Sequence, residues 1–225
     1  MNSFLPVGKL NNKLLQDLLS EINNAGPTPK IGEDSAIISI RDQEDLLVSS
    51  DPITFDSENI GKYVLDVCAN DIYAAGGEPK WFLLTTLIPP KTRYSDLKKV
   101  LSEVNERAKL LNIDIVGGHT EITEAVNKII LSGTILGTFN KNFINGQVVK
   151  ENQTIILGGL AGIEGSKIIT ENIKLSNSKL KNLSNLASNL SISVSEIAEI
   201  AISTGKIIKM HDPTEGGIST AIHEI

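Results

Sequence analysis

The residues of this chain best suited to chemistry are carboxylates and glycines at the ends of short apolar runs, and they fall in four clusters. Gly32-Glu33-Asp34-Ser35 stands just before a β-prone run, and Ser49-Ser50-Asp51-Pro52 just after one. Asn70-Asp71 lies in a helical pattern that closes at Gly76-Gly77, and Gly117-Gly118-His119-Thr120-Glu121 follows a further apolar run. Magnesium takes oxygen ligands in near-octahedral geometry and is held by few carboxylates together with substrate phosphates. Asp34, Asp51 and Asp71, from three separate elements, could supply such a set. A Gly-Gly turn lets backbone amides come close to a phosphate, as in other anion nests.

Each cluster alone has an ordinary reading. An Asp at a strand end is most often a turn or cap residue. Asp71 is four residues from both Val67 and Ala75, on the edge of an apolar helix face. A carboxylate there must be paired, hydrogen-bonded or metal-bound, and a helix salt bridge accounts for it as well as a metal does. His119 could be a metal ligand or a proton carrier, but three His with no HxxxH or CxxC spacing argue against zinc. That favours a structural or phosphate-neighbouring role. Cys68, the single cysteine, lies on an apolar helix face and reads as a buried, inert thiol. No Ser/His/Asp triad and no GxxxxGK[ST] loop is visible, so an ATP site would be of another kind.

The elements that must position these residues follow from periodicity. Leu10, Leu14, Leu15, Leu18, Leu19 and Ile22 form a helical stripe that Gly26-Pro27 stops. Residues 35–40 and 46–50 read as two strands joined through polar residues 41–45 as a hairpin. A helix over 59–75 presents Val64, Leu65, Cys68, Ile72 and Ala75. The apolar run 81–88 reads as a buried strand. The spacing predicts a helix over 95–112 with Ser95 as N-cap. Strands follow over 113–116, leading into the Gly117-Gly118 turn, and over 128–137. Residues 139–152 are polar and loop-like, which places a boundary near 150. The division is then a first unit, 1–150, and a second, 151–225. In the second unit we expect strands at 154–157 and 207–210 and helices after Gly162, over 197–202 and from near Ile218. The Ser/Asn/Lys/Leu-rich stretch 174–189 shows no period. The chain stops in mid-helix at Ile225 and reads as a truncated form of something longer, the alternative being a small complete second domain.

Composition bounds the function. Hydrophobic residues at 40% and charged residues at 21% fit an ordinary globular protein, and with 4% aromatics the core must be aliphatic. A net charge of -6 lacks the electrostatic footprint of a nucleic-acid binder. Anionic small ligands remain compatible, because metal ions and helix N-termini neutralise phosphate locally. The start lacks a signal-peptide pattern and no apolar run approaches the roughly 20 residues of a membrane helix. A cytoplasmic protein is the expectation.

Taken together, the clusters resemble one superfamily in order and spacing: aminoimidazole ribonucleotide synthetase, selenophosphate synthetase, thiamine monophosphate kinase and the hydrogenase maturation factor that dehydrates a carbamoyl group. Gly32-Glu33-Asp34-Ser35-Ala36 is similar to its Gly-Asp-Asp-Ala-Ala element, and Ser49-Ser50-Asp51 to its Thr-Thr-Asp. The run from Asn70-Asp71 to Gly76-Gly77-Glu78-Pro79 resembles its helix motif. Gly117 to Glu121 resembles its glycine-rich turn, and His211-Asp212-Pro213-Thr214-Glu215-Gly216-Gly217 its second-domain motif. GKL near the start, GGHTEIT and MHDPTEGG look most like the synthetase-related proteins labelled hydrogenase-maturation-like.

The resemblance implies an α/β (α+β) fold of two domains, the first joining a partner's strands in a dimeric β-barrel. It implies ATP and magnesium as cofactors. Asp34, Asp51, Asp71 and Asp212 would hold metal, and Asn70, Asp71, Gly117, Gly118, Thr120 and Glu121 would contact the nucleotide. The shared chemistry is phosphorylation of an oxygen or selenium atom, often a carbonyl oxygen. The cysteine-bearing tail of the hydrogenase factor and the N-terminal Cys or selenocysteine of selenophosphate synthetase have no counterpart in this sequence. Near its start only Lys9, after Gly8, offers a reactive group, and a solvated surface Lys is at least as good a reading. Catalytic residues stay unassigned, with Lys9 and His119 as the weak candidates. Three functions stay open: an ATP- and magnesium-dependent enzyme activating a small molecule, a nucleotide-binding or assembly protein without turnover, and a kinase of the thiamine monophosphate type.

Overall fold

A computed structural model describes residues 13, 16, 36–38, 45–55, 59–139, 143, 148–172 and 191–225. Five strands form one sheet in the order β1-β2-β5-β3-β4. They are β1 (Ala36–Ile38), β2 (Leu46–Ile53), β3 (Gly77–Ile88), β4 (Asp114–Ile122) and β5 (Ile130–Phe139). Helix α1 (Ile60–Ala74) joins β2 to β3, and α2 (Tyr94–Leu111) joins β3 to β4. The hairpin of β1 and β2 forms as its pattern predicts, with Ala36 opposite Val48. β5 is antiparallel to both β2 and β3, which therefore run the same way with β5 between them. β3 and β4 pair parallel across α2, an ordinary crossover unit.

The sheet is two-faced because its strands alternate. On β3, Phe82, Leu84, Thr86 and Ile88 are buried beneath the helices, while Trp81 and Leu83 on the other face are each 37% exposed. The core joins Leu47, Ile53, Phe82, Leu131 and Ile135 of the sheet to Val64, Leu65, Cys68 and Ile72 of α1 and Val104 of α2. It is aliphatic, as the composition requires. Gly133 is one point of close approach between sheet and helix: a Cβ there would lie 2.6 Å from Cys68 Sγ and 2.5 Å from the Phe82 ring.

Three short helices complete the described chain: α3 (Ile163–Asn172), α4 (Ser195–Ser203) and α5 (Gly217–Glu224). All three fall where the sequence predicts helix. α4 packs on α1. No helix among the described residues is long and apolar enough to cross a membrane.

The structure corrects several expectations. Asp51 is inside β2, not after it. Gly117 and Gly118 are not a turn but lie within β4, where the register with β3 shifts at Phe82/Leu83. Gly118 takes a φ of 146°, and a Cβ on it would fall 1.9 Å from the Leu84 carbonyl oxygen, so the strand continues there only because the residue is glycine. Residues 154–157 and 207–210 pair with no strand; Ile155, Ile156 and Leu157 are exposed. A β-prone run needs a neighbouring edge to become a strand, and none among the described residues faces them. α2 starts at Tyr94 after Arg93 without a side-chain cap, so Ser95 is not its N-cap. The predicted helix 10–22, of which only Lys13 and Gln16 are described, and the stretch 174–189 lie outside the described residues.

Candidate functional site

β2 breaks its own apolar pattern. On the helix-facing side it carries Leu47, Ser49, Asp51 and Ile53 in turn, so two polar residues sit between two buried aliphatic ones. Asp71 of α1 comes down on them. The Ser49 hydroxyl donates to Asp71 Oδ2 and stands 3.5 Å from Asp51 Oδ2. Asp212, in the loop before α5, completes the approach from the C-terminal side, and its charge is felt at Asp71. Asp71 and Asp212 are both buried.

These carboxylates cannot all be comfortable as anions. Burial pushes the Asp71 carboxyl well above the usual carboxylate range, and a hydrogen bond shared with Asp51 and repulsion from Asp212 push it further. The one opposing influence is the Ser49 hydroxyl. Glu164, in the first turn of α3, is also raised, first by burial and then by Asp212. Asp212 Oδ1 is buried with no hydrogen-bond partner. An orphaned buried carboxylate oxygen is costly unless a cation or donor arrives. That observation fits a divalent cation at Asp51, Asp71 and Asp212. Among the described residues no three His, Cys, Asp or Glu side chains form a ready-made metal cage. Magnesium suits such an open set, since it keeps waters and takes phosphate oxygens beside one or two carboxylates.

The remaining sequence candidates are placed differently. Asp34 and Lys9 lie outside the described residues. Gly118 shares a row with Asp51, through Gly133 and Leu84. Three strand spacings separate them, roughly 14 Å. Thr120 is on the same face one step further along, whereas Gly117, His119 and Glu121 alternate to the other face. His119 is exposed, with Nε2 3.6 Å from Glu121 Oε2. Cys68 is buried, and burial drives its thiol pKa upward, so it is the inert thiol expected.

Asn70 has a task that spacing did not show. Its Nδ2 donates to the Ile192 carbonyl at 3.0 Å, and its Oδ1 accepts from the Val194 N–H at 2.9 Å. Both ends of one buried amide thus hold the segment that enters α4. Nearby, Arg107 of α2 donates from Nε to Asp66 Oδ1 of α1 at 2.7 Å and reaches Ser191 Oγ at 3.4 Å. Glu164 was missed altogether, because a Glu in a first helical turn has an ordinary dipole role and carries no signal. A separate cavity of about 420 Å³, lined by Tyr73, Glu78, Phe139, Ala198 and Ile202 among others, lies at the far end of β2 from Asp51.

A mixed α/β sheet with carboxylates gathered under its helices defines the class. Residues 32–139 match the family described as AIR synthase related protein, N-terminal domain. A putative hydrogenase expression/formation protein of Methanocaldococcus jannaschii is 28% identical over 97% of this chain and 67% of its own length. The thiamine-monophosphate kinase of Bacillus subtilis is 29% identical over 67% of the chain and 50% of its own. Carbamoyl dehydratase HypE of Escherichia coli is 26% identical over 77% and 51%. The chain spans between half and two thirds of the length of these curated relatives. Among solved structures, a HypE–HypF complex aligns with a TM-score of 0.69 at 19% identity, covering 95% of this chain and 69% of that one. HypE in complex with ATP aligns at 0.63 and 18%, covering 97% and 65%. At these identities the structural likeness establishes the fold.

Two outcomes follow from this geometry. Asn70→Ala should speed amide exchange at Val194 and lower stability by about 1–3 kcal/mol in urea unfolding, since it leaves the buried Ile192 carbonyl and the part-buried Val194 N–H without their partner. Unchanged exchange at Val194 would show that the amide does not hold the segment. Asp71 gives a pH dependence. Its folded pKa lies above its unfolded one, so the folded state keeps a proton that the unfolded chain releases. Stability from this source is present at low pH and lost as pH rises through that window. The thermal midpoint of the wild type should fall more between about pH 5 and pH 8 than that of Asp71→Asn, a carboxamide that cannot titrate.

Proposed function

We propose that this chain binds ATP with magnesium and activates an oxygen atom of a small-molecule substrate by phosphorylation. The observation that carries the reading is that buried Asp71 stands beside half-buried Asp51 and in the field of buried Asp212, with Asp212 Oδ1 unpartnered. Asp51 and Asp71 hold the cation from the sheet and α1, and Asp212 meets it from the C-terminal side. Asp34 stands in the matching motif and is assigned the same role on resemblance. A bound magnesium ion neutralises phosphate charge and stabilises the charge that develops on transfer. Ser49 orients Asp71 by its hydrogen bond. Gly118 and Thr120, on the same face of the sheet, are assigned to the nucleotide. Gly117, Glu121 and His119 face away from the carboxylates and would serve a nucleotide only from the sheet's other face. The ATP complex known for HypE, and the kinase and dehydratase names of the relatives, support this chemistry. We place the division between two domains near residue 150.

One alternative reading keeps the nucleotide site without the chemistry: a nucleotide-binding or assembly protein without turnover. Tight ATP binding with no more than slow hydrolysis across a metabolite panel would select it.

Calorimetry with ATP, with and without magnesium, tests the site. The wild type should bind ATP in a magnesium-dependent way, and Asp71→Asn should abolish that dependence while its circular dichroism stays unchanged. Unaltered binding by Asp71→Asn would overturn the residue assignment.

The second copy of this chain is the partner we assign to the sheet's outer face. Trp81 and Leu83 stand half-exposed there, and half-buried Leu87 and Leu136 extend the surface. An apolar sheet face of this kind calls for a cover. Sedimentation should give a dimer for the wild type and a monomer for Leu83→Lys; a wild-type monomer would remove the assignment.

A further inference from the structure

One buried cluster is left over by the carboxylate site. Glu224, at the end of α5, places Oε2 2.9 Å from His211 Nε2. The opposite ring nitrogen, Nδ1, is 3.9 Å from Asp212 Oδ1. The side chains of Glu224, His211 and Asp212 are only 11%, 7% and 7% exposed. Lys209 Nζ donates to the backbone carbonyl of Glu224 at 3.1 Å. Lys209 and His211 are thus both tied to Glu224 at the end of α5, although residues 209–212 belong to no sheet. This tether is what a segment without strand partners needs if the residue at its end is to be held still.

We infer that Glu224 is a positioning residue for Asp212, acting through the His211 ring. A carboxylate can only accept, so Nε2–H is the donor, and one hydrogen bond sets both the tautomer and the plane of the ring. The fixed ring packs against Asp212 on the side of Oδ1. At 3.9 Å it is too far to consume that oxygen's hydrogen-bonding capacity, yet near enough to restrict the carboxylate's rotation. Asp212 is then presented to the cation with Oδ1 unengaged. Outer partners that orient a ligand in this way typically change metal affinity by about 10–100-fold when removed. The inference rests on reading Asp212 as part of the cation site.

The test uses manganese in place of magnesium, with binding followed by electron paramagnetic resonance on the full chain. The variants are Glu224→Ala, Glu224→Gln and Asp212→Asn, each checked for an unchanged fold. Glu224→Ala should weaken manganese binding at least about tenfold, as Asp212→Asn does, and Glu224→Gln, whose amide oxygen still accepts from Nε2–H, should restore most of it. The His211 ring nitrogen resonances should move in Glu224→Ala and stay near wild type in Glu224→Gln. Manganese binding that is lost in Asp212→Asn but intact in Glu224→Ala overturns the positioning role and leaves the cation site standing. Binding that survives Asp212→Asn, or a wild type that binds no manganese, overturns the cation site and the positioning role with it.

Discussion

The structure turns on a conflict between burial and charge. Asp71 is buried at the junction of sheet and helix, beside Asp51 and within the field of Asp212. Like charges brought together out of water repel strongly, and they stay together only if a proton or a cation separates them. Without a bound cation, a retained proton and the Ser49 hydroxyl ease the repulsion, and neither touches Asp212 Oδ1. The surrounding architecture is rigid where this conflict is greatest. Gly133 lets Cys68 and Phe82 pack closely beneath the same row of the sheet, which holds α1, and with it Asp71, against the strand that carries Asp51.

The segment that enters α4 is held to the sheet domain by polar contacts. Asn70 grips the backbone at residues 192–194, and Arg107 links α1, α2 and Ser191. Because Asn70 and Asp71 are neighbours on α1, the docking of α4 and the environment of Asp71 are set by one turn of one helix. Asp212 is delivered by a different route, along residues 209–212 and α5. The site is therefore assembled from two directions.

Much of this was legible before any coordinates. Helical spacing in α1 and α2 and the β-prone runs of β2 and β3 mark these elements, but the apolar run 81–88 reads as a strand buried on both faces, whereas Trp81 and Leu83 are each 37% exposed. Asp51, Asp71 and Asp212 were all selected as candidates. What stayed hidden was which partner each residue meets. Asn70 reads as a ligand contact by motif, but its amide meets backbone more than 120 positions away in sequence. Gly117-Gly118 reads as a turn because glycine pairs usually are one, and only the parallel pairing with β3 makes it a strand. Residues 154–157 and 207–210 have strand composition, yet a strand is a property of two chains' edges, not of one run. Glu164 and Glu224 carry no local signature at all.

The position of β5 has a consequence for the order of events. It is the last strand of the sheet in the chain, yet it lies in the middle, and neither β2 nor β3 touches the other. While the ribosome has not yet released residue 139, β2 and β3 share no partner and Asp51 has no ladder opposite it. A growing chain can form its helices and the first hairpin early, but the sheet must then admit its central strand late. Non-local pairing of this kind slows folding and leaves edges open meanwhile. The sheet that carries Asp51 is thereby closed only after residue 139 has emerged, and the carboxylate site waits further, for Asp212.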